Sequence, residues 1–253
     1  MIDSIDRITY VTDSLEKSEK TFTKFFNKSP FEKISEEIQG NDSLIYRFEN
    51  MNFEILKNSQ DSDLRQGLFG FSLNSTNLNS LSLSIDYEAI EKNEKMENLS
   101  RLVKSYDLKQ SSNFKLFINQ YEKPQLNYSD ESNLFALDHL VITTNQSDSI
   151  VNLYEKELGI RLALDQFVEK WGGRMLFFRT GQATIEVIDN KVEGNDKFWG
   201  LAWKIKDLKK KREYLLNNGF NVSEVKEGRK EDTLVATVKF DEIKIPTLLV
   251  QHL

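Results

Sequence analysis

The chain has no cysteine, only two histidines and no long apolar run. Without cysteine there is no disulfide framework, no cysteine nucleophile, no thiolate zinc site and no cysteine-ligated iron–sulfur cluster. No stretch approaches the length of a bilayer span, and Met1–Tyr10 is charged rather than apolar. The expectation is therefore a cytoplasmic protein with no membrane partner. A basic surplus is missing as well: 34 Lys and Arg stand against 40 Asp and Glu, a net charge of −6. Nucleic-acid binders carry such a surplus or a basic stripe, so no nucleic acid is expected. The densest basic run, Lys209 to Arg212 beside Lys204 and Lys206, reads as the wet face of a helix. No Ser/His/Asp order and no dinucleotide fingerprint is evident, and Gly228-Arg229-Lys230 lacks the phosphate-loop pattern.

What is present suits packed cores: 39% hydrophobic and 11% aromatic residues over 253 positions, enough for two domains. The stretch Tyr121–Asn133 has almost no apolar periodicity and reads as a linker. This predicts domains over 1–122 and 134–253, joined by 123–133. After it come a strand over Leu137–Thr143, a helix over Ser147–Leu158 stopped by Gly159, and two strands, 174–179 and 183–188, joined at Thr180-Gly181. A second unit follows: a strand at 201–205, a helix capped by Asp207 and stopped by Gly219, then strands near 220–225, 233–240 and 245–251. The first half repeats the theme with a strand at 5–11, a helix whose start Asp13 and Glu16 mark, and a hairpin over 44–48 and 52–56. Gly67–Leu73 is a strand candidate, Leu78–Ile85 fits either period, and 86–104 looks like an extra helix.

The halves align at one offset. Arg7 falls on His139, Arg47 on Arg179 and Glu54 on Glu186, each 132 residues apart. Leu137-Asp138-His139-Leu140-Val141-Ile142, the helix ending Glu157-Leu158-Gly159, Met175–Arg179 and Ile185-Glu186-Val187-Ile188 resemble a module of the vicinal-oxygen-chelate superfamily. That superfamily holds the glyoxalases, bleomycin-resistance proteins and extradiol dioxygenases. Trp199–Trp203, Asp207-Leu208, Gly228-Arg229-Lys230 and Ile245–Leu249 are similar to its glyoxalase-like branch. The resemblance implies an α+β fold of four βαβββ-like modules in two tandem glyoxalase-like domains, each an incomplete barrel around a cavity.

It further implies a divalent metal (Mn, Fe, Zn or Mg) held by the first and last strands of paired modules. His139 and Glu186 match ligand positions, Gln251 stands at or near a third, and Gly200 falls where a fourth would be. A site of two histidines and a glutamate would have to recruit His252. In the first half Arg7 and Leu68 replace ligands, and Glu54 is read as structural, paired with Arg7. Glu186 is the candidate catalytic carboxylate. Arg174, Arg179 and Arg229 are guanidinium candidates for an anionic substrate, or else surface ion pairs. Trp171 sits in a candidate lid, and Trp199 is a platform or a core residue. The implied activity is isomerase, lyase or dioxygenase chemistry on a small oxygen-rich substrate by a monomer or homodimer. A non-catalytic small-molecule binder of the same fold is the alternative.

Overall fold

Along the opening strand Asp6, Ile8 and Tyr10 are buried, while Arg7 and Thr9 between them stay half-buried. One side of the strand thus meets a core, and the register is set by which side that is. The computed structural model describes residues 1–35, 42–58, 65–96, 99–109, 112–122, 135–169, 173–189, 194 and 196–253. The first half supplies β1 (Ile2–Thr12), β2 (Glu32–Ile34), β3 (Ser43–Arg47), β4 (Asn52–Lys57), β5 (Gly67–Ser75), β6 (Tyr87–Met96), β7 (Leu99–Leu108) and β8 (Lys115–Tyr121). The second supplies β9 (Phe135–Thr144), β10 (Arg161–Val168), β11 (Gly173–Thr180), β12 (Ala183–Asp189), β13 (Lys197–Ile205), β14 (Asn221–Val222), β15 (Lys226–Glu227), β16 (Thr233–Lys239) and β17 (Thr247–His252).

Two open sheets result, with orders β2-β3-β4-β1-β5-β8-β7-β6 and β10-β11-β12-β9-β13-β17-β16-β14, β15 adding to β16. These are one topology written twice. Arg7 and His139 lie on the equivalent strands β1 and β9, and Glu54 and Glu186 on β4 and β12, as the common offset requires. The parallel pair in the middle repeats too: Gly70 faces Lys115 between β5 and β8, and Leu201 faces Thr247 between β13 and β17. The expected α+β class with two tandem domains is the one found, and neither sheet closes into a barrel.

By packing, the chain falls into two compact units. One compact unit comprises Met1–Ile8, Phe69–Asn127 and Leu140–Trp199, the other Thr9–Leu68, Tyr128–His139 and Gly200–Leu253. The expected linker 123–133 lies outside the described residues. The second unit is organised by rings. Phe26 packs on Phe48 at 4.7 Å and Trp203 at 5.1 Å, and Phe25 on Phe240 at 5.1 Å and Phe135 at 5.5 Å. The helix Leu15–Phe26 buries Phe22, Phe25 and Phe26 there, and aromatic pairs of this kind add to the burial free energy. In the first unit Phe71, Phe114 and Phe198 form a smaller ring group.

Several expectations are corrected. The described residues of 86–104 are not helical: β6 pairs antiparallel with β7, and Tyr87 stacks on Tyr106 at 4.3 Å. Strand pairing overrides helix propensity here. The alternation was hidden because the buried side of β7 carries Ser105 and Asp107 beside Val103. Strand β10 was missed because it is an edge strand with most residues exposed. The first helix is capped by Ser14, not Asp13, which instead accepts from Asn58. Tyr121 belongs to β8 rather than to the linker. The helix after β9 is α over Ser147–Val151 and π over Asn152–Glu157, and Gly159 ends it at φ 68°. Lys211 leaves the wet face of its helix and turns inward.

Candidate functional site

Buried Leu137, Leu140, Val141 and Ile142 fix the register of β9 and leave Asp138 and His139 half-buried among them. Strand β17, held by parallel pairing to β13 and antiparallel pairing to β16, ends at His252. These two strands bring three side chains together within the second unit. His139 Nδ1 lies 2.8 Å from Asp138 Oδ1, and His252 Nε2 lies 2.5 Å from Asp138 Oδ2. One carboxylate is thereby shared by the only two imidazoles of the chain. Burial pushes the Asp138 carboxyl up, but the hydrogen bonds from both rings outweigh it and hold the pKa down at about 2. Asp138 is therefore an anion at neutral pH and only accepts, so both rings donate. In the neutral rings this puts the lone pair on Nε2 of His139 and on Nδ1 of His252.

The same position in the first half shows what the pair of imidazoles changes. Asp6, 132 residues before Asp138, is 3% exposed, and its Oδ2 accepts from Ser72 Oγ at 2.8 Å, Asn119 Nδ2 at 2.8 Å and Tyr121 Oη at 2.7 Å. Hydroxyl and amide donors enclose that carboxylate. Asp138 holds imidazoles and keeps 20% of its side chain open.

The other sequence-predicted residues are dispersed. Glu186 is half-buried on β12, opposite Phe177 of β11. Gln251 gives its amide oxygen to the backbone N–H of Leu208 at 2.8 Å, helping to cap the last helix. Arg174 donates Nε and Nη2 to both oxygens of Asp165 and Nη1 to Asp148. Its guanidinium is engaged in a surface clamp, the ion-pair alternative of the two readings. Arg179 is exposed and donates to Thr184. Arg229 is exposed in the turn before β16. Trp199 is 51% exposed, not core, whereas Trp203 is buried at 1%. Trp171 lies outside the described residues. Glu54 accepts from Thr9 Oγ1 at 3.3 Å. A shallow cleft in the second unit, lined by Asp13, Lys17, Gln66 and Glu242 among others, includes none of these candidates.

A resident divalent ion fits this donor set poorly. Gly200 has no side chain, and a Cβ there would stand 2.7 Å from the Pro246 carbonyl oxygen, so close backbone approach accounts for the glycine. Gln251 is occupied as a cap. Among the described residues no three His, Asp or Glu side chains gather as a group that could hold a metal. Sequence reasoning missed Asp138, whose only signal was its place beside His139, and discounted His252 for its position at the end of the chain.

Residues 138–237 match the family described as the Glyoxalase/Bleomycin resistance protein/Dioxygenase superfamily. No curated protein matches the chain. A triple mutant of 4-hydroxymandelate synthase from Streptomyces coelicolor superposes with a TM-score of 0.75 at 10% identity, over 99% of this chain and 92% of that one. BphC, a halotolerant catechol dioxygenase, superposes with a TM-score of 0.62 at 11% identity, over 99% of this chain and 87% of that one. At such identities the likeness is one of fold, and it spans both tandem halves. That family match begins at the shared carboxylate, Asp138, and takes in 100 of the 253 residues, so it is residues 138–237 that are similar to the superfamily.

Proposed function

We propose that the chain is a glyoxalase-like enzyme that moves a proton on a small oxygen-rich substrate, in isomerase or lyase chemistry. The observation that carries this reading is the sharing of Asp138 by His139 and His252. An imidazole whose Nδ1–H is held by an ionised carboxylate is oriented, and it becomes a stronger acceptor at Nε2 as positive charge develops on the ring. A substrate with a C–H beside a carbonyl would give its proton to His139, and Asp138 would stabilise the imidazolium formed. The His139 imidazolium then returns the proton to the substrate, and His252, donating to the second oxygen of the same carboxylate, helps to keep Asp138 ionised and in place. Glu186 is the further carboxylate that the family position offers for this work.

The metal-assisted form of the same chemistry, with His139, Glu186 and Gln251 as ligands, is the less supported variant because Gln251 caps a helix. The second reading is a non-catalytic binder of the same fold, favoured by the glycine that stands at a family ligand position, Gly200, and offers no donor there.

The test is solvent exchange in heavy water. The protein is incubated with a panel of 2-hydroxy ketones, 2-oxo acids and 2-substituted acyl thioesters, and deuterium incorporation is followed by NMR. Exchange by the wild type, slowed roughly 10²–10⁴-fold in His139→Ala, is the expected result. Ligands that raise the melting temperature with no exchange in any variant would establish the binder instead.

A further inference from the structure

A lysine in the ring-rich core of the second unit has no place in the chemistry above. Lys211 lies on the helix Leu208–Asn217, and its ammonium donates to the backbone carbonyl of Phe25 at 2.6 Å. That carbonyl belongs to the last turn of the helix Leu15–Phe26, where it has no partner within its own helix. Around Nζ stand the rings of Phe135 and Tyr214, both at 4.8 Å, and of Phe25 at 5.9 Å. Among the described residues no carboxylate pairs with it. Tyr214 is the titratable group against it, and burial pushes that phenol up, so it stays neutral. The side chain is nonetheless not sealed, being half-buried rather than buried.

We propose that Lys211 is a covalent acylation site, a nucleophilic amine that takes a short acyl group from a thioester. An ammonium withdrawn from water with only rings and a carbonyl dipole around it is a poorly stabilised cation, and the neutral amine is the nucleophile. Desolvation holds its pKa down at about 8. In the reaction the nitrogen lone pair adds to the thioester carbonyl. The C–S bond then breaks, the thiolate leaves with the electron pair, and one N–H proton passes to solvent. The product amide retains one N–H for the Phe25 carbonyl and carries no charge to bury, while the acyl methyl finds apolar rings. Acylation thus removes the unfavourable element of the arrangement and keeps the hydrogen bond.

The probe is N,S-diacetylcysteamine in limiting amount on the full chain, with the acylated lysines mapped by mass spectrometry from pH 6.5 to 9.5. Lys209 and Lys210, exposed on the same helix, are internal references. The expected result is that Lys211 is acylated roughly tenfold faster than either at pH 7.5, with a rate that levels off above about pH 8. Lys211 reacting no faster than Lys209 and Lys210 across that range would overturn the proposal and leave the lysine as a helix-end pin. Because the comparison is made within the wild-type protein, no variant has to fold for it to be decided.

Discussion

Asp138 is withdrawn from water but held ionised by two imidazoles, so the acid stability of the protein reports on it. Its folded pKa, about 2, lies below the ordinary aspartate value of 3.8. A depressed carboxylate contributes stability that is present above the unfolded pKa and lost as pH falls through the folded one. Between about pH 4 and pH 2 the wild type should therefore lose on the order of 2 kcal/mol more than Asp138→Asn, measured as unfolding free energy against pH. Parallel curves would mean the carboxylate is not clamped in solution. Lys211 has an alkaline window of the same sign. Its folded pKa is lowered to about 8, so between that value and its ordinary one only the unfolded chain holds the proton, and stability rises with pH. Chemical denaturation at pH 7.5 and 9.5 should show this gain in the wild type and not in Lys211→Met. His139 was legible in the sequence because the family position marks it. Asp138 was not, since neighbours on a strand start out on opposite sides and nothing in the one-letter pattern shows a side chain bending back.

At the scale of elements, the parallel pairs in the middle of each sheet depend on glycine. A Cβ on Gly70 would meet the Lys115 carbonyl oxygen at 2.2 Å, and one on Gly200 the Pro246 oxygen at 2.7 Å. Backbone cannot yield as a flexible side chain does, so Gly200→Ala should destabilise by about 1–3 kcal/mol, read from thermal or denaturant unfolding. A neutral result would return Gly200 to the reading of a lost ligand position. Arg174 makes a contrasting case. Its ion pairs with Asp165 and Asp148 sit at the surface, so Arg174→Ala should cost no more than about 1 kcal/mol, less in high salt, and should leave ligand binding unchanged. Strong strands such as β1, β9 and β12 were legible because apolar residues alternate or run together there. Strands β6, β7 and β10 were not. Two of them are helix-prone segments paired antiparallel with each other, and the third is an exposed edge where burial imposes no pattern.

Over the whole molecule, the offset of 132 residues carried the topology, because equivalent strands must hold equivalent registers if both sheets follow one order. The compact units were not legible. The second is held by rings as distant in sequence as Phe26 and Trp203, and periodicity records which side of an element is buried, not what it is buried against. Trp203→Ala should accordingly cost about 3–5 kcal/mol, far more than any change at the exposed Trp199. The functional reading rests on a single arrangement, one carboxylate ordering both imidazoles, and a protein with two histidines allows it to be observed directly. Nitrogen-15 NMR of the ring nitrogens at neutral pH distinguishes the two tautomers of each ring. The expected spectrum has the proton on Nδ1 of His139 and on Nε2 of His252, with both rings losing that preference in Asp138→Asn. Rings that carry their protons on the opposite nitrogens, or that do not respond to the loss of the Asp138 charge, would contradict the shared-carboxylate site and the proton transfer assigned to it.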